Sequence, residues 1–320
     1  MPRTFDQKTL LVTGATGFIG THLVERLRQV AGARLVLVSR RAVAQATRKD
    51  ETWVAADLRT LSPATWRAAG IGHLDFVFHL GSFTPKSAAQ ANEIQPILHD
   101  NLEGTWALLE SFPSVPERLV LASTLDVYAP PADGVVLSER SPCSPAGLYG
   151  TSKLFVEQMA AAHARARGYS LAILRYGHIF GPGEDAYGKL IPQAIRQMVA
   201  GQAPAVYGDG GAERDFLYVG DAVEAAVRAA LADRAALGPV NVVRGESHPI
   251  RHVVETLAGA VGFPGRIAYL RNEPRGPSLR FDNARMRELL GEWPLVPLEE
   301  GLYHEVQSVR RTHPARKEMA

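Results

Sequence analysis

Tyr149 and Lys153 stand four residues apart in Tyr149-Gly150-Thr151-Ser152-Lys153. On a helix that spacing puts both side chains on one face. A free phenol has a pKa near 10, whereas acid–base chemistry near neutrality asks for about 7. Three units amount to about 4 kcal/mol of preference for the phenolate, which a nearby cation can supply. Tyr-x-x-x-Lys by itself is common by chance. A second group gives it weight. In Leu121-Ala122-Ser123-Thr124-Leu125-Asp126-Val127-Tyr128, Thr124 sits at the end of an expected strand upstream. Its hydroxyl can hydrogen-bond a substrate carbonyl or alcohol.

Thr13 to Gly20 reads TGATGFIG, with Gly14, Gly17 and Gly20 spaced G-x-x-G-x-x-G between an apolar run and a helix-like segment. Glycine lets such a turn approach a pyrophosphate closely, and the helix N-terminus offers free N–H groups and the positive end of its dipole. A second apolar run follows roughly 20 residues on, as a dinucleotide-binding unit requires. An acidic residue at its end would hold an adenosine 2′-hydroxyl and favour NAD(H). The residues there are Ser39-Arg40-Arg41. A hydroxyl beside a guanidinium suits a 2′-phosphate, so NADP(H) is favoured, with NAD(H) the alternative.

These groups need a scaffold. The runs Thr9–Val12, Arg34–Val38, Thr52–Val54, Phe76–Leu80, Arg118–Ala122 and Leu171–Leu174 are near-continuous in apolar residues. Strands buried on both faces of a parallel sheet read this way. Thr21–Val30 and Asn101–Ser111 between them carry helical spacing. The expected fold is α/β: a doubly wound parallel sheet of Rossmann type, with ligands at the C-terminal ends of the strands. After Gly177 the texture changes, with Gly181-Pro182-Gly183, Tyr207-Gly208-Asp209-Gly210-Gly211 and Pro274-Arg275-Gly276-Pro277. That predicts a smaller, discontinuous C-terminal substrate lobe. Val219–Leu231 reads as a helix and Pro239–Val243 as a strand, both returning to the first domain. Residues 1–176 and 218–243 are thus assigned to the nucleotide-binding domain, and 177–217 and 244–320 to the lobe.

The net charge of +2, with 21% charged and 46% hydrophobic residues, is that of an ordinary globular chain. It gives no pull toward nucleic acid or a membrane surface. Arg310, Arg311, Arg316 and Lys317 read as a short solvated tail. No run approaches the roughly 20 apolar residues that cross a bilayer, and the first residues lack the apolar core of a signal peptide. The single cysteine, Cys143, forms no internal disulfide, which fits a reducing, cytoplasmic setting. The ten histidines do not cluster as ligands. His248 and His252 are four apart with no evident third partner, so no metal site is expected.

Taken together, the loop, the hydroxyl and the Tyr/Lys pair resemble the extended short-chain dehydrogenase/reductase superfamily, specifically its sugar-nucleotide epimerase/dehydratase/reductase family. The resemblance covers nearly the whole chain. Asp57-Leu58 matches an acidic position that meets adenine, and His79-Leu80-Gly81-Ser82 a stretch beside the cofactor. Asn101 opens N-x-x-G-T. Arg175 to Gly183, RYGHIFGPG, resembles R-x-x-N-x-Y-G-P-G. Arg214-Asp215-Phe216-Leu217-Tyr218-Val219 with Asp221 resembles R-D-F-x-Y-V-x-D. Glu288-Leu289-Leu290-Gly291 and Glu299-Glu300-Gly301-Leu302 resemble the family's closing motifs.

The resemblance implies that Tyr149 is the general acid/base, that Lys153 orients and biases it, and that Thr124 binds the reacting oxygen. It places Gly14, Thr16, Gly17, Phe18, Ile19 and Gly20 against the cofactor, with Ser39, Arg40, Asp57 and Leu58. Leu80, Gly81, Ser82, Asn101, Tyr176 and His178 complete that set with Tyr149 and Lys153, whose ammonium is expected to reach the nicotinamide ribose. Thr84, Thr124, Asp126, His178, Arg214 and Arg275 are expected to face a nucleotide-sugar substrate, with Arg280 a further candidate. A homodimer through a four-helix interface is implied, the apolar faces being Trp106 and Leu109, and Leu154 and Met159. Two positions depart from the family. Leu125 stands where dehydratases carry a proton-transferring residue, leaving Asp126 alone at the dehydratase glutamate position. His178 replaces an asparagine. The expected reaction is therefore 4-keto reduction of a nucleotide-activated hexose, with 4-epimerisation as the alternative. A non-enzymatic redox sensor or scaffold on the same fold would typically lose Tyr149 or Lys153, and both are present.

Overall fold

The computed structural model describes residues 3–41, 48–87, 89–184, 187–233, 237–270 and 276–312. Arg275, Arg316 and Lys317 lie outside the described residues. The strands are β1 (Thr9–Thr13), β2 (Arg34–Ser39), β3 (Glu51–Ala55), β4 (Phe76–His79), β5 (Arg118–Thr124), β6 (Val136–Leu137) and β7 (Ser170–Tyr176). They continue with β8 (His178–Phe180), β9 (Ala205–Tyr207), β10 (Glu213–Tyr218), β11 (Gly238–Val242), β12 (Ser247–Pro249), β13 (Ala268–Leu270) and β14 (Arg280–Phe281). The first helices are α1 (Phe18–Leu27), α2 (Pro63–Ala68), α3 (Ile94–Pro96), α4 (Gly104–Ser111) and α5 (Leu148–Arg167). The later ones are α6 (Leu190–Val199), α7 (Val219–Leu231), α8 (Ile250–Val261), α9 (Ala284–Leu290) and α10 (Leu298–Thr312).

Seven strands form one parallel sheet in the order β3-β2-β1-β4-β5-β7-β11. This is the doubly wound arrangement expected from the alternation of apolar runs and helices. Every residue of β1 and β7 is buried, which is why neither sequence alternates with polar residues. Side chains of α1, α7 and α9 cover one face, and those of α2, α4 and α5 the other. Burial of apolar surface on both faces is the main stabilising contribution to this layer.

Two strands run further than the apolar pattern suggests. β5 continues through Ser123 and Thr124, and β7 through Arg175 and Tyr176, because Ser123 pairs with Arg175 and Thr124 with Tyr176 in register. Hydropathy stops at Ala122 and Leu174; the ladder does not. Conversely, β4 ends at His79, one residue before Leu80. The helical segment expected from Asn101 starts earlier. α3 runs into a π-helical turn, Ile97–Glu103, and then into α4. That wider turn buries Asn101.

A second layer lies beyond β7. β10 pairs with β8 in parallel and with β12 antiparallel, and α6, α8 and α10 pack around Phe180 and Phe216. Helix α9 falls within the stretch assigned to the lobe, yet it buries Met286, Leu289 and Leu290 against the large sheet's core. The apolar face read from α4 and α5 also needs correction. Leu109 is buried, and Met159 and Leu154 pack against the chain's own interior. Trp106 is half exposed, and the other exposed apolar side chains of these segments are Ile94, Leu98, Leu148 and Phe155. No helix among the described residues is long and apolar enough to cross a membrane.

Candidate active site

A cavity of about 1300 Å³ opens at the C-terminal ends of β1, β2, β4, β5 and β7. The sheet order reverses between β1 and β4, and strand ends at such a reversal leave a crevice. Its floor is the turn from β1 into α1. Gly14 has φ of +68°, and a Cβ there would lie 2.8 Å from the Gly81 nitrogen. At Gly20 a Cβ would lie 2.0 Å from the Gly14 carbonyl oxygen. Both positions therefore admit backbone where a side chain cannot fit. Gly17 begins α1 without a side-chain cap, so the first helical N–H groups are left for a ligand. The pyrophosphate of a dinucleotide fits this cradle.

Thr16, Phe18 and Ile19 line the cavity with the three glycines, as do Leu80, Gly81 and Ser82 after β4. Ser39, Arg40, Asp57 and Leu58 form its β2 end. There Arg40 pairs with Asp100 at 3.2 Å. The Asp57 carboxylate accepts hydrogen bonds from the Arg59 backbone N–H at 2.9 Å and from its Nε at 3.1 Å. The Arg59 side chain holds that carboxyl below the ordinary range.

Tyr149, Lys153, Thr124, Thr84 and Asp126 line the same cavity, with Tyr176 and His178. α5 carries Tyr149 and Lys153, and Thr124 ends β5, where its side chain accepts the Asp126 N–H at 3.2 Å. Between the two catalytic candidates, Gly150 lets α5 press on the turn after β5; a Cβ would lie 2.2 Å from the Asp126 carbonyl oxygen. Burial and then the Asp126 carboxylate push the Tyr149 phenol above its ordinary value, while the Thr84 and Thr124 hydroxyls pull the other way. The lowered phenol value expected from the sequence is not what the protein alone produces, because desolvation outweighs the hydrogen bonds. Burial draws Lys153 down to about 8, opposed by Glu157. Asp126 opens on the cavity, yet burial of its carboxyl in the cleft raises it, with Thr124 opposing. His178 is lowered to about 4, by burial and then by Arg214 and Lys189. Its Nδ1 is buried without a hydrogen-bond partner.

Three expected contacts fall elsewhere. Asn101 does not line the cavity. Its Oδ1 accepts the Phe83 N–H at 2.7 Å and its Nδ2 donates to Ser152 Oγ at 3.0 Å, so both ends of the amide serve the fold. Arg214 also lies off the lining, donating from Nη1 to the carbonyl oxygens of Glu213 and Pro277. Arg280 is paired with Glu213. Arg275 is outside the described residues. Among the described residues, no group of three or more His, Cys, Asp or Glu side chains converges on a metal position.

Other lining residues carry no motif. Lys189 lies on the wall with Nζ 5.0 Å from the Tyr187 ring centroid, donating to the Ile179 carbonyl at 3.0 Å. Asp100 faces Arg40 from the π-helical turn. The turn-rich Gly181-Pro182-Gly183 marks the approach to Tyr187 and Lys189; nothing in the sequence marks Asp100.

The reversal of strand order, the glycine cradle and the titratable cluster beside it define a dinucleotide-dependent α/β enzyme. The model of the NAD dependent epimerase/dehydratase family matches residues 10–243, and the chain belongs to that family. Over 312 residues it is 30% identical to UDP-glucuronic acid decarboxylase 1 of Xenopus tropicalis, covering 96% of this chain and 73% of that protein. It is 28% identical over 319 residues to dTDP-4-dehydro-6-deoxy-D-allose reductase of Streptomyces bikiniensis, covering 92% of this chain and 94% of that one. Among solved structures, MoeE5 in complex with UDP-glucose and NAD matches with a TM-score of 0.80 at 30% identity, over 95% of this chain and 99% of that chain.

Proposed function

We propose that this enzyme reduces the 4-keto group of a nucleotide-activated hexose, with NADP(H) the favoured cofactor. The state of Tyr149 carries this reading. Burial beside Asp126 keeps its phenol neutral against the pull of the Thr84 and Thr124 hydroxyls, and a neutral phenol is the form that donates a proton to a carbonyl oxygen. When bound, the nicotinamide supplies the hydride. Thr124 orients the sugar oxygen, Tyr149 protonates it, and the Lys153 ammonium favours the phenolate left behind. Leu125 has no proton to move, so the pair of groups that water elimination needs is incomplete. The similarity to a nucleotide 4-keto-sugar reductase supports the same direction, and the nucleotide sugars named for the other relatives support the substrate class.

One observation favours 4-epimerisation with retained NAD as a second reading. Arg40 is engaged by Asp100 and so is not waiting for a 2′-phosphate. The two readings separate when the enzyme is given a panel of nucleotide 4-keto sugars with NADPH, and product stereochemistry is determined. A reductase consumes NADPH mole for mole with product. An epimerase interconverts nucleotide hexoses without net cofactor loss. Turnover of neither kind sinks both.

The proposed assembly is a homodimer. Its face is Ile94, Leu98, Trp106, Leu148 and Phe155, exposed apolar side chains carried by the α3 to α5 segments, as a two-fold helical interface requires.

A further inference from the structure

Tyr149, Lys153 and Glu157 recur every four residues along α5, and so share one helix face. Glu157 and Lys153 are each 4% exposed. Neither the proton transfer nor the cofactor cradle uses Glu157, yet its carboxylate is gripped from two strands. Ser123 of β5 donates to Oε1 at 2.5 Å. Arg175 of β7 donates from Nε to Oε1 at 2.9 Å and from Nη2 to Oε2 at 2.7 Å. A fork of this kind fixes angle as well as distance. Ser123 and Arg175 are register partners on adjacent strands, so one carboxylate fastens α5 to both. The next residues along those strands, Thr124 and Tyr176, are on the cavity wall. The Arg175 guanidinium is itself held over the Tyr128 ring, 4.9 Å from its centroid.

We propose that Glu157 is a positioning residue for the reaction. Joined to Ser123 and Arg175, it sets the Lys153 ammonium and the Tyr149 face of α5 relative to the Thr124 hydroxyl. The charged and titratable groups around Lys153 are few. His79 approaches from β4 and is lowered to about 3 by burial, with Lys153 adding to the effect. Glu157 lies on the same helix, Arg175 stands behind it on β7, and Tyr149 is one turn earlier. Of these, Glu157 is the one that favours the charged ammonium against burial.

Glu157 has this role only if Tyr149, Lys153 and Thr124 are the reacting groups, so the test reads Lys153 itself and not turnover. The full chain is labelled with carbon-13 at lysine Cε and titrated by NMR, the Lys153 signal being assigned by its loss in Lys153→Met. In Glu157→Gln the midpoint is expected to fall by about one pH unit, because the charge favouring the ammonium is gone. That variant leaves the Arg175 guanidinium buried without its carboxylate. Where it does not fold, the double variant Glu157→Gln with Arg175→Met, which leaves neither charge buried alone, is titrated instead. There too the midpoint is expected to fall, because Glu157 is the group that favours the ammonium. A midpoint unchanged from the parent protein in the folded variant overturns the assignment, whatever reaction the enzyme proves to catalyse.

Discussion

Arg40 reaches across the β2 end of the crevice to Asp100, Nη1 to Oδ2 at 3.2 Å, with the Arg40 side chain 72% exposed. An exposed pair of this kind contributes about 0–1 kcal/mol. A guanidinium bond to a charged phosphate contributes about 1.5–3 kcal/mol. The proposed NADP(H) preference therefore requires a 2′-phosphate to take Arg40 from Asp100. NADPH is expected to bind about ten- to a hundredfold more tightly than NADH, and Asp100→Asn to widen that margin. Fluorescence titration of both cofactors against both proteins decides the matter. Equal affinities, or a preference for NADH, would leave the epimerase reading in front.

The proposed catalytic roles separate by phenotype. Tyr149→Phe is expected to keep the fold and cofactor binding while turnover drops by about 10²–10⁴, the usual loss of a general acid or base. Lys153→Met should also weaken cofactor binding if its ammonium reaches the ribose. Thr124→Val should reduce turnover more than cofactor affinity. Steady-state rates and cofactor titrations on the three variants give the comparison. Near-normal turnover in Tyr149→Phe would move the acid/base to Asp126 or His178.

His79 gives the fold a pH signature. Its Nδ1 is 2.7 Å from Thr13 Oγ1 and its Nε2 is 2.9 Å from Thr105 Oγ1. Burial, then Lys153, lowers it from 6.5 to about 3. Above pH 6.5 folded and unfolded chains both carry neutral His79, and its contribution is complete. As pH falls from there toward 3, the unfolded chain takes up a proton that the folded one refuses, and stability is lost. Between pH 7 and pH 5 that loss is about 2 kcal/mol. His178, lowered to about 4 by burial, acts in the same direction. Asp215, raised to about 6 by burial, acts in the opposite one. His79→Gln keeps hydrogen-bonding capacity and lacks the titration. Urea unfolding at the two pH values should show the parent losing about 2 kcal/mol more than the variant; equal losses would contradict the assignment.

Trp106 and Phe155, on α4 and α5, are 50% and 52% exposed. If they form a two-fold interface, Phe155→Asp should convert a dimer into a monomer at micromolar concentration. Light scattering reads the mass directly. A monomeric parent protein would remove the interface from the proposal.

The residue pattern alone indicated the doubly wound fold, the glycine cradle and the shared helix face of Tyr149 and Lys153, while the place of Thr124 beside them came from the family resemblance. The first three rest on short-range regularities: an apolar run buried on both faces, a turn that only glycine permits, and an i, i+4 helical pair. The same spacing extended by four residues would have reached Glu157. Its significance depended on Ser123 and Arg175, which lie on separate strands and meet only through sheet register. Asn101 shows the converse. It carries a recognisable motif, but a π-helical turn points its amide at Phe83 and Ser152, away from the cavity. The electrostatics were also out of reach of the sequence. Tyr149 beside a lysine reads as a phenol with a lowered pKa, yet the depth of the cleft and the Asp126 carboxylate reverse the sign. Desolvation depends on every atom packed around a group, and only the tertiary structure supplies those atoms.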